Sequence, residues 1–227
     1  MLFDLLNIPL DIWNNVVRSA TVLDENTLVS APILSKDRLK EEFRSFLADS
    51  SSQPVWSGYA HEFIFERKIY NDLKDKVIQK LLHNKRDEPI IIHGQAVSGK
   101  TVLLGKLAYE LFLTGTPILY IDRNRRQLDY DDINDYCEWI ESKSSTSSAS
   151  LVIWDGMQPI ESYHKLVRAM QSRGRKVVVL GSCYTEKISK RKGNYIEISV
   201  HARRPEFWLI SRPETATPPA LLALPGA

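Results

Sequence analysis

An apolar segment at residues 90–93 runs directly into Gly94-x-x-x-x-Gly99-Lys100-Thr101, and this junction constrains the fold more than any other feature of the chain. The pattern is that of a Walker A motif. The apolar residues that follow recur at helical spacing, so the loop connects a strand to a helix, as a phosphate-binding loop requires. Glycines let backbone N–H groups turn inward around a phosphate, and the helix N-terminus adds a favourable dipole. The motif predicts a nucleoside triphosphate site in an α/β fold.

The motif also assigns roles to individual side chains. Lys100 is expected to contact the β- and γ-phosphates, and the Thr101 hydroxyl is expected to bind Mg²⁺. We therefore predict ATP and Mg²⁺ as the cofactors. The residues expected to surround the nucleotide in and after the loop are Gly94, Gln95, Ala96, Val97, Ser98, Gly99, Lys100, Thr101 and Val102.

A second apolar segment, residues 151–154, ends in Asp155. A buried strand that delivers a carboxylate to the carboxyl edge of a parallel sheet has the form of a Walker B motif. Asp155 is therefore predicted to bind the metal and to act in catalysis. The next apolar segment, residues 177–180, leads through Gly181 to Ser182. We expect Ser182 beside the γ-phosphate, at the catalytic position called sensor 1; a simple strand-ending turn is the alternative interpretation.

The residues after Asp155 differ from those of many hydrolytic ATPases, which place a glutamate there to activate the attacking water. The four residues that follow are Gly156, Met157, Gln158 and Pro159. Glu161 is the nearest carboxylate, but it lies on the next predicted helix, where an acidic residue favours the N-terminus. The sequence therefore supports nucleotide binding better than fast hydrolysis, and any ATPase activity is expected to be weak.

Short apolar segments alternate with helical patterns through the rest of the chain. The predicted strands are residues 90–93, 118–121, 151–154, 177–180 and 195–198, and the predicted helices are residues 63–82, 102–113, 130–142 and 160–172. This alternation predicts a parallel sheet buried on both faces. Because Asp155 and Ser182 must both approach a phosphate at the end of the first strand, we expect a three-layer P-loop NTPase fold. Its five parallel strands should lie in the order 5-1-4-3-2.

The chain divides into three predicted parts. Residues 1–54 form a short helical N-terminal segment, residues 55–204 the NTPase domain, and residues 205–227 a disordered tail. A Ser-rich break at residues 50–54 marks the first boundary. The tail is rich in proline and has no periodicity of either kind. Its abrupt change of character is what a truncated or frameshifted reading frame would produce.

The overall charge gives no indication of nucleic-acid binding. The formal net charge is +2 and the pI is about 8.4, which is weakly basic. A basic cluster is interpreted as a solvated loop, because it has few aromatic residues for base stacking. Its members are Lys187, Lys190, Arg191 and Lys192.

Cys137 and Cys183 lack partners at metal-ligand spacing, so we expect free thiols in a reducing cytoplasm. The N-terminus lacks the features of a signal peptide. The longest apolar segments are too short to span a membrane. These observations predict a cytoplasmic protein without a membrane partner.

The segment Phe63-Ile64-Phe65-Glu66-Arg67, followed by a helix and then Walker A, resembles the start of the STAND class of signal-transduction ATPases. In that class an aromatic segment that contains Arg and Glu helps to form the adenine pocket. The resemblance implies that Arg67 takes part in nucleotide binding, although the usual order in the class is Gly-Arg-Glu.

Two further segments narrow the resemblance. Asp155-Gly156 is similar to the opening of Walker B in the related NACHT group. Trp154-Asp155 together with Leu180-Gly181-Ser182-x-Tyr184 looks most like the ATPase modules of bacterial antiviral STAND proteins, some of them fused to sirtuin-type NADase domains. The resemblance covers about residues 55–200. It implies an ATP-binding module whose nucleotide state controls self-association or assembly into a larger complex.

Two other functions are compatible with these residues. One is an AAA-type ATP-dependent remodelling enzyme or a nucleotide kinase; the other is a non-enzymatic remnant that keeps the nucleotide fold. A working switch needs an arginine or histidine from a lid or a neighbouring subunit. His201, Arg203 and Arg204 are the candidates before the predicted tail.

Overall fold

The computed structural model describes residues 8–25, 27–28, 32–50, 52–64, 67–83, 88–123, 128–143, 149–185 and 193–198. Within these ranges the elements in chain order are α1 (Leu10–Ser19), β1 (Thr21–Val22), α2 (Lys36–Asp49), α3 (Trp56–Ala60), α4 (Lys68–Leu82), β2 (Ile90–His93), α5 (Lys100–Leu113), β3 (Ile118–Ile121), α6 (Tyr130–Lys143), β4 (Ser150–Trp154), α7 (Ile160–Ser172), β5 (Val177–Cys183) and β6 (Asn194–Glu197). Strands and helices alternate from α4 to β5, and the α/β class is confirmed.

The six strands form one sheet in the order β1-β3-β4-β5-β2-β6. Each neighbouring pair among β3, β4, β5, β2 and β6 is parallel, whereas β1 and β3 are antiparallel. Among the described residues the sheet therefore has one strand more than the five expected, and it is mixed rather than all parallel. The five strands that the sequence predicted run parallel to one another in the order β6-β2-β5-β4-β3. β1 contains only two residues, Thr21 and Val22, which is too short for a periodic pattern to predict. Within the sheet, β5 separates β2 from β4.

Helices cover both faces of the sheet and create two apolar cores. One core lies under α4 and α5, and its fully buried members include Leu73, Leu104 and Leu180. The other lies under α1, α6 and α7 and includes Ile133 and Val152. β2, β3 and β4 are buried along their whole length. Burial on both faces stabilises by about 25 cal/mol per Å² of apolar surface, which explains why these strands are continuous apolar runs.

The early part of the chain also contributes to these contacts. Val16 and Val22 are buried in the second core, next to residues of β3 and α6. Phe46 of α2 packs edge-on against Tyr59 of α3, with ring centroids 5.9 Å apart. A Cβ atom at Gly58 would lie 2.0 Å from a carbon of the Phe46 ring, so the close approach of α2 to α3 requires glycine there. This packing places the C-terminal end of α2 near the 94–99 loop.

The predicted tail at 205–227 lies outside the described residues, as do the candidate lid residues His201, Arg203 and Arg204. In the part of the chain that is described, no helix combines the length and the apolar character needed to cross a bilayer.

Candidate functional site

Residues 94–99 form a loop between the carboxyl end of β2 and the N-terminus of α5, and both of its terminal glycines are required by geometry. Gly99 has φ of 79°, in the left-handed region, and immediately precedes α5. A Cβ atom at Gly94 would lie 2.5 Å from the carbonyl oxygen of Ile198 and 2.8 Å from the Ser98 Oγ. Larger residues at either position would strain or displace the loop.

The Lys100 ammonium lies at the centre of this loop. Only 5% of the residue is exposed. Its Nζ donates hydrogen bonds to the carbonyl oxygens of Gly94 and Gln95, at 3.0 and 2.7 Å, and to the Ser98 Oγ at 3.2 Å. Burial lowers the pKa of Lys100, and the nearby Asp155 carboxylate opposes this effect. The three acceptors match the three donors of an ammonium group, so the loop holds the positive charge in a defined place.

Arg67 contacts the same loop from outside. It directly precedes α4, and its Nη1 donates a hydrogen bond of 2.6 Å to the carbonyl oxygen of Ser98. A Cβ atom at Gly99 would lie 2.7 Å from its Nη2, so the guanidinium packs closely on the loop backbone. Burial lowers the pKa of Arg67. The structure therefore brings Arg67 to the loop, where its observed partner is a backbone carbonyl; Phe65 and Glu66 lie outside the described residues.

Asp155 follows β4 at the same edge of the sheet and is 4% exposed. Its two oxygens have different donors. Oδ1 accepts a hydrogen bond of 2.7 Å from the Ser182 hydroxyl, and Oδ2 accepts a longer one of 3.4 Å from the Tyr120 hydroxyl. The sequence predicted that Asp155 and Ser182 lie near a common phosphate, and the structure brings them into direct contact. The two donors hold the carboxylate in one orientation.

Tyr120 was not predicted from the sequence as a site residue. It lies on β3, opposite Ile153 of β4, and its hydroxyl is buried. Burial raises the pKa of Tyr120 well above its usual value, and the negative charge of Asp155 raises it further. The hydroxyl therefore keeps its proton and acts as a donor to Asp155. A tyrosine within an otherwise apolar strand is the only sequence signal for this role.

Tyr163 of α7 connects the loop after Asp155 to the end of β5. Its hydroxyl donates to the backbone carbonyl of Ser182 at 2.5 Å and accepts from the backbone N–H of Gln158 at 3.1 Å. Its ring packs against Gly181, where a Cβ atom would lie 2.5 Å from the Tyr163 Cε1. The glycine before Ser182 is therefore required for this packing, and Tyr163 indirectly positions the Ser182 backbone.

Lys100 and Asp155 line one cavity of about 460 Å³ at the carboxyl edge of the sheet. Of the residues predicted for the site, Gly94, Gln95, Arg67 and Ser182 are not among those that line it. The lining residues are Leu47, Ser50, Ala96, Val97, Ser98, Gly99, Lys100, Thr101, Val102, Arg123, Asp155, Met157 and Tyr184. The Tyr184 ring centroid lies 5.3 Å from the Lys100 Nζ. Leu47, Ser50 and Arg123 were not predicted as site residues. Arg123 could have been found from its position just after an apolar strand, whereas Leu47 and Ser50 carry no such signal.

The described residues contain no cluster of three or more His, Cys, Asp or Glu side chains that could hold a metal ion by itself. A protein site for Mg²⁺ commonly uses only one or two carboxylates and completes its coordination with substrate phosphates and water. Asp155 and the buried Thr101 hydroxyl, which line the same cavity, are ligands of that kind. The basic cluster at residues 187–192 lies outside the described residues.

Comparison with protein families identifies the family of the chain. The family described as Novel STAND NTPase 5 matches residues 48–196, which is more than half of the chain. The chain belongs to this family. The expected resemblance to STAND NTPases is therefore confirmed. The match ends within β6, so it spans every element from α3 to β5 and most of β6.

Solved structures resemble this STAND NTPase weakly. "Structure of C. elegans PCH-2" matches with a TM-score of 0.42 and 15% identity, covering 60% of this chain and 44% of that one. "Structure of E. coli MS115-1 HORMA:CdnC:Trip13 complex" matches with a TM-score of 0.33 and 16% identity, covering 84% of this chain and 64% of that one. The chain thus spans less than two thirds of either relative. A search of curated proteins finds no significant match.

Proposed function

We propose that this STAND NTPase is an ATP-binding signal-transduction module in which the nucleotide state controls assembly. The observation that carries the proposal is the convergence of Lys100, Thr101 and Asp155 on one cavity at the N-terminus of α5. A buried ammonium, a hydroxyl and a carboxylate in this arrangement match the chemistry of a triphosphate bound with Mg²⁺. The resemblance to antiviral STAND proteins extends the proposal to a cytoplasmic role in antiviral defence.

Each residue of the site would have a separate role in binding the nucleotide or the metal. The backbone N–H groups at the start of α5 and the Lys100 ammonium would hold the phosphates. Thr101 and Asp155 would hold Mg²⁺, which supplies charge neutralisation when bound. Ser182 and Tyr120 would keep Asp155 oriented for this task, since they bind its two oxygens. Arg67 would support the loop through its contact with Ser98.

The cavity favours holding nucleotide over rapid hydrolysis. Among the described residues that line it, Asp155 is the one carboxylate. A carboxylate that binds Mg²⁺ is not free to activate water, and the residue that follows Asp155 is a glycine. Phosphoryl transfer depends on positioning the water and stabilising charge. Slow turnover is consistent with a switch that stays in one nucleotide state until a partner acts on it.

The proposal is tested by calorimetric titration of Mg-ATP into the wild-type chain and into Lys100→Ala. Loss of the buried phosphate contact is expected to weaken binding by roughly 2–5 kcal/mol. Lys165→Ala is the matched control, since it removes the same charge from an exposed position on α7. Equal affinity of the wild type and Lys100→Ala would show that the cavity is not the nucleotide site.

Control of assembly is tested separately by analytical ultracentrifugation. The chain is sedimented with Mg-ATP, with Mg-ADP and without nucleotide. We expect a species of larger sedimentation coefficient in the presence of one of the two nucleotides and not of the other. An identical distribution in all three conditions would show that the described module does not couple its nucleotide to self-association.

A further inference from the structure

The cavity contains a second cationic side chain, Arg123, that the two sequence motifs do not account for. β3 ends at Ile121, so Arg123 lies just beyond the carboxyl end of a parallel strand. Ile121 is the register partner of Trp154, the residue before Asp155. Arg123 and Asp155 therefore leave the sheet on neighbouring strands, at the edge where phosphate-binding residues collect in such folds.

The charges of the cavity favour a strongly anionic ligand. Among its described lining residues, Lys100 and Arg123 are cations and Asp155 is the anion. The N-terminus of α5 adds a partial positive charge. Lys100 and Arg123 line the same cavity, and their like charges repel each other. Two like charges in one cavity are stabilised by an anion that contacts both.

Arg67 does not fill this role, although it is the arginine that the family resemblance singled out. Its Nη1 binds the carbonyl oxygen of Ser98, and it is not among the residues that line the cavity. Arg123 is an exposed residue that follows β3, the strand beside β4, and it lines the cavity. The two arginines therefore have separate tasks, one at the loop backbone and one inside the cavity.

We propose that Arg123 binds the γ-phosphate of a nucleoside triphosphate and makes the chain prefer triphosphates to diphosphates. The inference rests on the proposed nucleotide site and names the residue that distinguishes a bound triphosphate from a bound diphosphate. A guanidinium presents several donors in a planar fork, which suits the terminal oxygens of a phosphate. Lys100, held within the loop, would contact phosphates that both nucleotides share, whereas Arg123 would contact the group that only the triphosphate carries.

Such a residue is what a nucleotide switch requires. A ligand shifts a conformational equilibrium only to the extent that it binds the two states differently. ATP and ADP differ by one phosphate, so the protein must contain a group that responds to that phosphate. Arg123 follows β3, which pairs with the strand that ends just before Asp155, so the responding group belongs to the same chain as Asp155 and needs no second subunit.

The experiment measures the dissociation constants of Mg-ADP and of a Mg-bound, non-hydrolysable ATP analogue. The proteins are the wild type, Arg123→Ala, Arg123→Lys and the control Arg168→Ala, which removes an arginine from an exposed position on α7. Arg123→Ala is expected to weaken the triphosphate about 10- to 100-fold. Its ADP affinity should change by less than about threefold. The triphosphate affinity of Arg123→Lys should lie between those of the wild type and Arg123→Ala.

Retained ADP affinity shows that the variant is folded, so the ratio of the two constants reports on Arg123 itself. Equal weakening of both nucleotides, or no weakening of either, would overturn the assignment. If Arg123→Ala does not fold, Arg123→Lys decides: an unchanged ratio in that variant overturns the assignment. The proposed nucleotide site fails in a different way, because the wild type would then bind neither nucleotide or Lys100→Ala would bind as well as the wild type.

Discussion

Removal of the Ser182 hydroxyl should weaken Mg²⁺-dependent nucleotide binding more than removal of the Tyr120 hydroxyl. Both groups donate to Asp155, but the Ser182 bond is 2.7 Å and the Tyr120 bond is 3.4 Å. A short hydrogen bond to a charged group contributes about 1.5–3 kcal/mol, whereas one near the distance limit contributes much less. Ser182→Ala is therefore expected to weaken metal affinity about 10- to 100-fold. Tyr120→Phe is expected to weaken metal affinity by about threefold.

The assay titrates Mg²⁺ at a fixed concentration of fluorescent nucleotide and records the midpoint for each variant. Nucleotide binding without metal serves as the first control, since neither hydroxyl contacts the loop that holds the phosphates. Urea unfolding is the second, because loss of one donor leaves a buried carboxylate less well satisfied and should cost about 1–2 kcal/mol.

Two results would refute this reasoning. An unchanged Mg²⁺ midpoint in Ser182→Ala would show that the hydroxyl does not orient Asp155. A larger effect in Tyr120→Phe than in Ser182→Ala would show that the two distances do not rank the donors.

Two further predictions concern turnover and pH. With Asp155 as the one carboxylate among the described cavity residues, phosphate release by the purified chain should be slower than about 1 s⁻¹; faster release, abolished in Asp155→Ala, would contradict the proposed switch. Burial lowers the pKa of His93 in the folded chain; Glu197 opposes this shift and Lys100 adds to it. Below pH about 6.5 the unfolded chain therefore binds more protons than the folded chain, and the free energy of unfolding falls. Melting temperatures between pH 7.5 and 5.5 should therefore fall less in His93→Leu than in the wild type, and parallel slopes would rule out His93 as the cause.

The sequence by itself determined the loop of the site and the elements that flank it. Gly94, Gly99, Lys100 and Thr101 are contiguous or nearly so, and the chemistry of such a loop depends on residues within one turn of chain. The buried strands were predictable for a related reason: a strand covered on both faces must be apolar throughout. Asp155 was predictable because a carboxylate directly after such a strand lies at the edge of the sheet.

The tertiary structure alone decided which distant residues complete the site. Tyr120 and Ser182 bind the same carboxylate from strands on either side of β4, and Leu47 and Arg123 line the same cavity from separate elements. β1 belongs to the sheet because its two residues pair with the outer edge of β3. Periodicity reports how deeply a residue is buried but not what it is buried against. The sequence placed Ser182 near Asp155, but the hydrogen bond between them, the role of Tyr120 and the position of Arg123 followed only from the order and register of the strands.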